Sequence, residues 1–131
     1  MNAPSEDIKS MLVAGGLGLT FGTNLFIGKE PATPRNCATI FDTYGRPPDL
    51  ALKDQGYERP SIQMRIRSTD YMTGWTLTNN IKDLLHGKEH ETWNGTLYTV
   101  IYCSSGPALL DWDDNNNARF IINFSIQRHA V

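Results

Sequence analysis

The residues His86-Gly87-Lys88-Glu89-His90 match the H-x-x-E-H pattern of inverted zinc proteases letter for letter. That chemistry needs both imidazoles on one helical face, with the glutamate beside a metal-bound water. Here Gly87 stands where a helical pattern runs out and a hairpin pattern begins, so His86 and His90 are not expected to share a helix turn. Asp111-Trp112-Asp113-Asp114-Asn115 opens like a calcium loop, with oxygens at the first, third and fifth positions. Its sixth position is Asn116 where a glycine belongs, and its twelfth is Ile122 where a bidentate glutamate belongs. A solvated acidic turn is the better reading.

Gly16, Gly18 and Gly22 miss the dinucleotide fingerprint by one residue, and a strand-like stretch follows them instead of a helix. Ser104-Ser105-Gly106 lacks the first glycine of a nucleophile elbow, and no local base accompanies Cys37 or Cys103. No catalytic, cofactor-binding or metal-ligating residue is assigned. The basic cluster is Arg59, Arg65 and Arg67, which reads as a solvated sheet face or a partner site.

The 131 residues suit one domain, 1–131, and an apolar fraction of 40% suffices for one modest core. A formal charge of −2 gives no global attraction to nucleic acid or to an anionic membrane. Two cysteines outside any C-x-x-C pair suggest free thiols in a reducing compartment. Glu6 and Asp7 argue against a secretory signal, the glycines break the run 11–19, and no segment reaches the roughly 20 apolar residues of a bilayer span. A soluble protein made in the cytoplasm is expected.

The elements that must position these residues centre on 57–85. From 61 to 67 the chain alternates, with Ile62, Met64 and Ile66 on one face and Gln63, Arg65 and Arg67 on the other, the period of a half-buried strand. After the capping candidates Ser68, Thr69 and Asp70, the spacing of Tyr71, Trp75, Thr78, Ile81, Leu84 and Leu85 is helical, with Gly87 placed for a left-handed stop. Upstream, Ser5 is expected to cap a short helix ending at Gly15-Gly16, with Glu6 and Asp7 in its first turn. Residues 17–27 read as a strand with a bulge near Gly22, 28–36 as a loop with prolines, 37–42 as a short strand, and 44–59 as a long irregular excursion. Loops beyond about 12–15 residues are uncommon unless they bind something, so 44–59 is a candidate contact arm. Asn94-Gly95 predicts a hairpin continuing through Cys103. Residues 104–107 should end that strand, 108–118 should form an acidic connection, and 119–128 a last strand with Phe120, Ile122, Phe124 and Ile126 inward. The order implies an α+β fold, a mainly antiparallel mixed sheet with one long helix packed across a face and a short N-terminal helix.

The ordered set Ile40-Phe41-Asp42-Thr43 with Gly45 and Pro47, Tyr57-Glu58-Arg59-Pro60, Ile62 to Arg67, Ile81 to Leu85, Trp93 to Tyr98, Asp111 to Arg119 and Phe120 to Arg128 resembles the minor capsid and tail terminator proteins of long-tailed phages. The resemblance covers residues 37–129. It implies a mixed sheet flanked by helices and a virion component of the tail or neck that acts by assembly, without catalysis or cofactor. Such proteins form six-membered rings that cap the tail tube, meet the tail tube protein and the head-tail connector or stopper, and let DNA pass without specific binding; no membrane is involved.

A ring subunit needs two unlike lateral surfaces. The expected assembly residues are Arg46, Tyr57, Glu58, Arg59, Arg65, Arg67, Asp111, Asp113, Asp114 and Arg119, with Arg65 and Arg67 of one copy facing the carboxylates Asp111, Asp113 and Asp114 of the next. The 28–36 and 44–59 stretches could protrude to neighbours. A neck connector or stopper is the nearest alternative; a small metal-dependent hydrolase using His86, Glu89 and His90, and a nucleic-acid adaptor using Arg59, Arg65 and Arg67, are the others.

Overall fold

Alternation in the last strand sets the architecture. Phe120, Ile122, Phe124 and Ile126 lie on one face of β6 (Ala118–Ala130), all but fully buried. Each contributes about 1.5–3 kcal/mol by leaving water. The first three sit in register beside Ile66, Met64 and Ile62 of β3 (Arg59–Ser68), so the apolar stripes of the two strands fuse into one inner face. The computed structural model describes residues 1–47 and 57–131.

Among the described residues the order is α1 (Pro4–Ala14), β1 (Leu25–Ile27), β2 (Cys37–Arg46), β3, α2 (Tyr71–Leu85), β4 (Lys88–Trp93), β5 (Thr96–Trp112) and β6. The six strands form a single sheet ordered β1-β2-β3-β6-β5-β4, parallel at β1–β2 and antiparallel elsewhere. The fold is α+β with a mixed sheet. The two helices, of 11 and 15 residues, share the inner face: α1 packs on β1, β2 and β3, and α2 on β3, β5 and β6. Ile8, Met11 and Leu12 of α1 join Ile81 and Leu85 of α2 in one core with the strands. Among the described residues the opposite face carries no helix.

Both ends of α2 follow from local chemistry. Asp70 accepts from the Thr73 backbone N–H at 2.9 Å and from its hydroxyl at 2.7 Å, and these two bonds, the hydroxyl first, hold the carboxyl below its ordinary range. At the other end Gly87 has φ +88°, where only a residue without Cβ sits comfortably. Inside α2, Gly74 lets the helix approach β6: a Cβ there would lie 2.6 Å from the Phe120 ring.

Several sequence expectations are corrected. Ser5 does not cap α1. The flanking residue is Ala3, with proline in the first turn, and Ser5 is buried against Asp42 of β2. The 17–27 strand shrinks to Leu25–Ile27 because the Asn24 side chain accepts from Thr20 N–H at 2.7 Å and donates to Gly18 O at 3.1 Å, holding a turn where a ladder was expected. The 44–59 excursion is partly strand: β2 runs to Arg46, which pairs with Arg59, across a register shift between Thr43 and Arg46 that breaks the alternation. The middle of that stretch, 48–56, lies outside the described residues. Finally, β5 does not stop at 104–107. Shifts after Cys103 and Ser105 absorb Gly106 and Pro107 as irregularities, and the strand continues to Trp112, so the acidic connection contracts to 113–117.

Candidate assembly surface

At one end of the helix-free face, β3 and β6 bring Arg67 and Arg119 together in register, and β5 adds Asp111 beside Arg119. Two adjacent guanidinium groups repel unless an anion lies between them, and the 28–36 segment supplies one. Glu30 takes Arg67 at 3.1 Å on one carboxylate oxygen and Arg119 at 3.1 Å on the other, while Arg119 also reaches Asp111 at 2.8 Å. Burial by itself would lower the Arg119 pKa, but Glu30 and then Asp111 outweigh it, and the guanidinium is held above its ordinary range.

Arg67 was expected beside Arg65 on a solvated basic face. It is instead 8% exposed. Its Nε donates to Arg35 O at 3.0 Å, and one terminal nitrogen donates to Pro31 O at 2.6 Å and Pro34 O at 2.7 Å. The proline-containing segment cannot form a ladder through its proline nitrogens, so its carbonyls turn inward and a planar, five-donor side chain gathers them. Residues 28–36 are therefore pinned to the sheet, where the sequence suggested a protrusion. Arg35 continues the tie to Asn117 Oδ1 at 2.9 Å and Asn115 O at 3.0 Å.

Asp113 organises the β5–β6 turn. One carboxylate oxygen accepts from Asn115 and Asn117 backbone N–H, each at 2.9 Å, and the Asn117 amide, aided by its side chain, lowers the Asp113 pKa. This is the acidic turn that the spacing suggested. Asp114 stays exposed next to it.

At the other end of β3, the start of the strand gathers a second group. Arg46 is exposed and pairs in register with Arg59, whose guanidinium lies 5.2 Å from the centre of the Tyr57 ring. Tyr57 stacks on His129 at 5.8 Å and donates to Gln127 Oε1 at 2.9 Å, and Glu58 pairs with Arg128 at 2.7 Å. An open cleft of about 230 Å³ is lined there by Tyr44, Arg46, Arg59, Tyr102 and Gln127. Between the two ends, Arg65 lies over Phe41 at 5.0 Å and donates to Gln63 Oε1 at 2.9 Å, half exposed. The structure thus brings Arg67, Arg119 and Asp111 into one group and Arg46, Tyr57, Glu58 and Arg59 into another. Arg65 stands apart from both.

Sequence reasoning missed the inner polar cluster. Asp7 of α1, fully buried, accepts a short hydrogen bond from the Tyr98 hydroxyl and another from Asn94 Nδ2 at 2.7 Å, with Arg128 3.7 Å away. A signal was present: alternation places Arg128 on the same face of β6 as Ile126, where a lone cation demands a buried anion. Glu30, the shared partner of Arg67 and Arg119, left no such trace.

The H-x-x-E-H residues are split as the spacing predicts. His86 flanks the end of α2 and accepts from Cys103 N–H at 2.9 Å through Nδ1, while His90 belongs to β4. No helix face carries both.

A family described as bacteriophage tail terminator protein matches residues 12–129, reaching further toward the N-terminus than the segments that carry the resemblance. Among solved structures, a chain described as "Virion of native gene transfer agent (GTA) particle" has the same fold, with a TM-score of 0.68 and 13% identity over 98% of this chain and 96% of that one. No individually curated protein matches. The chain belongs to the bacteriophage tail terminator family and is a structural protein of the virion tail.

Proposed function

We propose that the chain, as a single tail-terminator-like domain, is one subunit of a closed homohexameric ring that ends the tail tube and joins it to the head connector. One observation carries the reading beyond family membership: the two sides of the sheet are unlike. On the β1 side, the part of β2 beyond β1 presents Tyr44 and Arg46, and on the β4 side, the part of β5 beyond β4 and the turn after it present Leu109, Leu110, Trp112 and the carboxylates Asp111 and Asp114. Unlike sides are what a head-to-tail contact requires, and such contacts close into a ring when the rotation permits.

In this reading the site residues divide by role. Arg46, Tyr57, Glu58 and Arg59 form one contact surface, Asp111, Asp113, Asp114 and Arg119 the other, and Arg65 marks the helix-free face between them. Arg67 acts indirectly by fixing the 28–36 segment. The flat ends of the ring meet the tail tube protein on one side and the connector or stopper on the other. DNA crosses the lumen without specific binding, because lysines and arginines facing phosphates would release counterions and hold it, and a chain of net charge −2 has few to spare. The protein works by assembly and breaks no bonds.

Mass measurement of the protein in solution, alone and with the tail tube protein, followed by imaging, tests this. Six-membered rings, free or on tube ends, are expected. A protomer that stays single under both conditions would end the proposal, and a ring of another number would remove the hexamer.

A further inference from the structure

The sheet protects its edges unevenly. β4 is an outer strand, and it carries Lys88, Glu89, His90 and Glu91 within six residues; β1 is the other outer strand and is only three residues long. Charge and shortness are the two usual ways to keep a strand edge from pairing with another chain. Neither covers the full length of its neighbour. β4 pairs with β5 only as far as Ile101, and β1 pairs with β2 only as far as Ile40. Among the described residues, 41–46 of β2 and 108–112 of β5 therefore have no strand on their outer sides.

The β5 stretch is lightly guarded, by one charge and a register shift between Leu109 and Asp111. Pro107, which has no N–H to offer, closes it on one side and the Asp113 turn on the other. Within it, Leu109 and Leu110 are each 39% exposed and Trp112 is 52% exposed, with Asp111 the single charge. The β2 stretch carries a fully exposed Tyr44 and an exposed Arg46. One stretch is apolar with a single acid, the other aromatic with Arg46 as its cation, its own acid Asp42 being taken up by Ser5 of the same chain.

We propose that neighbouring copies join edge to edge, the 41–46 edge of β2 in one copy pairing with the 108–112 edge of β5 in the next. This rests on the ring reading and names its contact. Backbone hydrogen bonds carry the sheet across the boundary, Tyr44 meets the exposed leucines and tryptophan, and Arg46 faces Asp111 and Asp114. The two edges lie on opposite sides of the sheet order, so each copy offers one and receives the other, and a closed ring leaves neither open.

The test joins Tyr44→Cys and Leu110→Cys in one chain on a Cys103→Ser background. Mild oxidation of assembled rings should give a ladder of covalent multimers on a denaturing gel, ending at the ring number, while either single cysteine gives no ladder. Leu110→Lys should leave a folded monomer by circular dichroism and lose the ring; Tyr44→Lys, at a fully exposed position, asks the same question should the first variant fail to fold. Rings that form normally in the lysine variants, with no ladder from the cysteine pair, would overturn the edge contact and leave the ring reading standing. A wild-type protein that makes no rings, alone or with tube protein, would overturn both.

Discussion

The Asp42 carboxylate of β2 accepts both the backbone N–H of Ser5, at 3.0 Å, and its hydroxyl, at 2.6 Å, so a residue 37 positions away satisfies the first turn of α1. A helix start leaves amide groups without internal partners, and here the sheet provides the anion. Asp42→Ala should therefore cost about 0.5–2 kcal/mol, the usual range for losing a cap. Urea denaturation measures it. Unchanged stability would mean that water replaces the carboxylate at no cost.

Asp7 and Tyr98 make a buried acid–phenol pair with Arg128 beside it. Burial first, and the bond to Asp7 second, raise the Tyr98 pKa well above its ordinary value. Below pH ~10 the phenol is protonated in folded and unfolded chains alike, and its contribution is complete. Above that, the unfolded chain releases the proton while the folded one keeps it, so stability falls as pH rises toward the folded pKa. Tyr98→Phe should show a shallower alkaline loss than the wild type in unfolding curves taken at successive pH values. Parallel curves would contradict this.

Removing the carboxylate itself is the harsher change. Asp7→Ala leaves the buried Tyr98 hydroxyl without its acceptor and takes one of two carboxylates from Arg128, which keeps Glu58 at 2.7 Å and Asn2 O at 2.8 Å, and the expected cost is about 1–3 kcal/mol. A calorimetric scan should show the midpoint falling by several degrees, and a drop of only one or two would mean that Glu58, Asn2 and Tyr98 suffice for Arg128.

Gly74→Ala sets two effects against each other. Helix propensity favours alanine by about 1 kcal/mol, while a Cβ at 2.6 Å from the Phe120 ring forces α2 away from β6 at about 1–3 kcal/mol. The clash should win, giving a net loss in thermal stability. A more stable variant would show that Phe120 yields easily.

Arg65 and Arg67 should separate cleanly. Arg65→Glu removes a half-exposed cation, and a folded protein close to wild-type stability is expected. Arg67→Glu places a carboxylate against Glu30 and the four backbone carbonyls of Pro31, Ala32, Pro34 and Arg35, so the 28–36 segment should detach and become cleavable by protease. Equal protease resistance in the two variants would deny Arg67 its anchoring role.

How much of this was legible in advance depends on the range of the interaction. The alternation of Ile62, Met64 and Ile66, the Asp70 cap, the Gly87 stop and the Asn94-Gly95 turn are decided within a few residues, so α2, β3, the β4–β5 hairpin and the inner face of β6 are legible from local residue order. The order of segments was also enough to indicate the family. Strand lengths were not legible. A register shift puts two residues opposite one, so the alternation that identifies a strand disappears in β2 near Gly45 and in β5 near Pro107 although the pairing continues. Partner choice for charges was decided by tertiary structure alone. Arg67 looks like Arg65 in the sequence, and what divides them is that Glu30, Pro31 and Pro34 fold back over one and leave the other half-buried over Phe41, a contact 32 to 37 residues long whose only cause is the folded sheet beneath it.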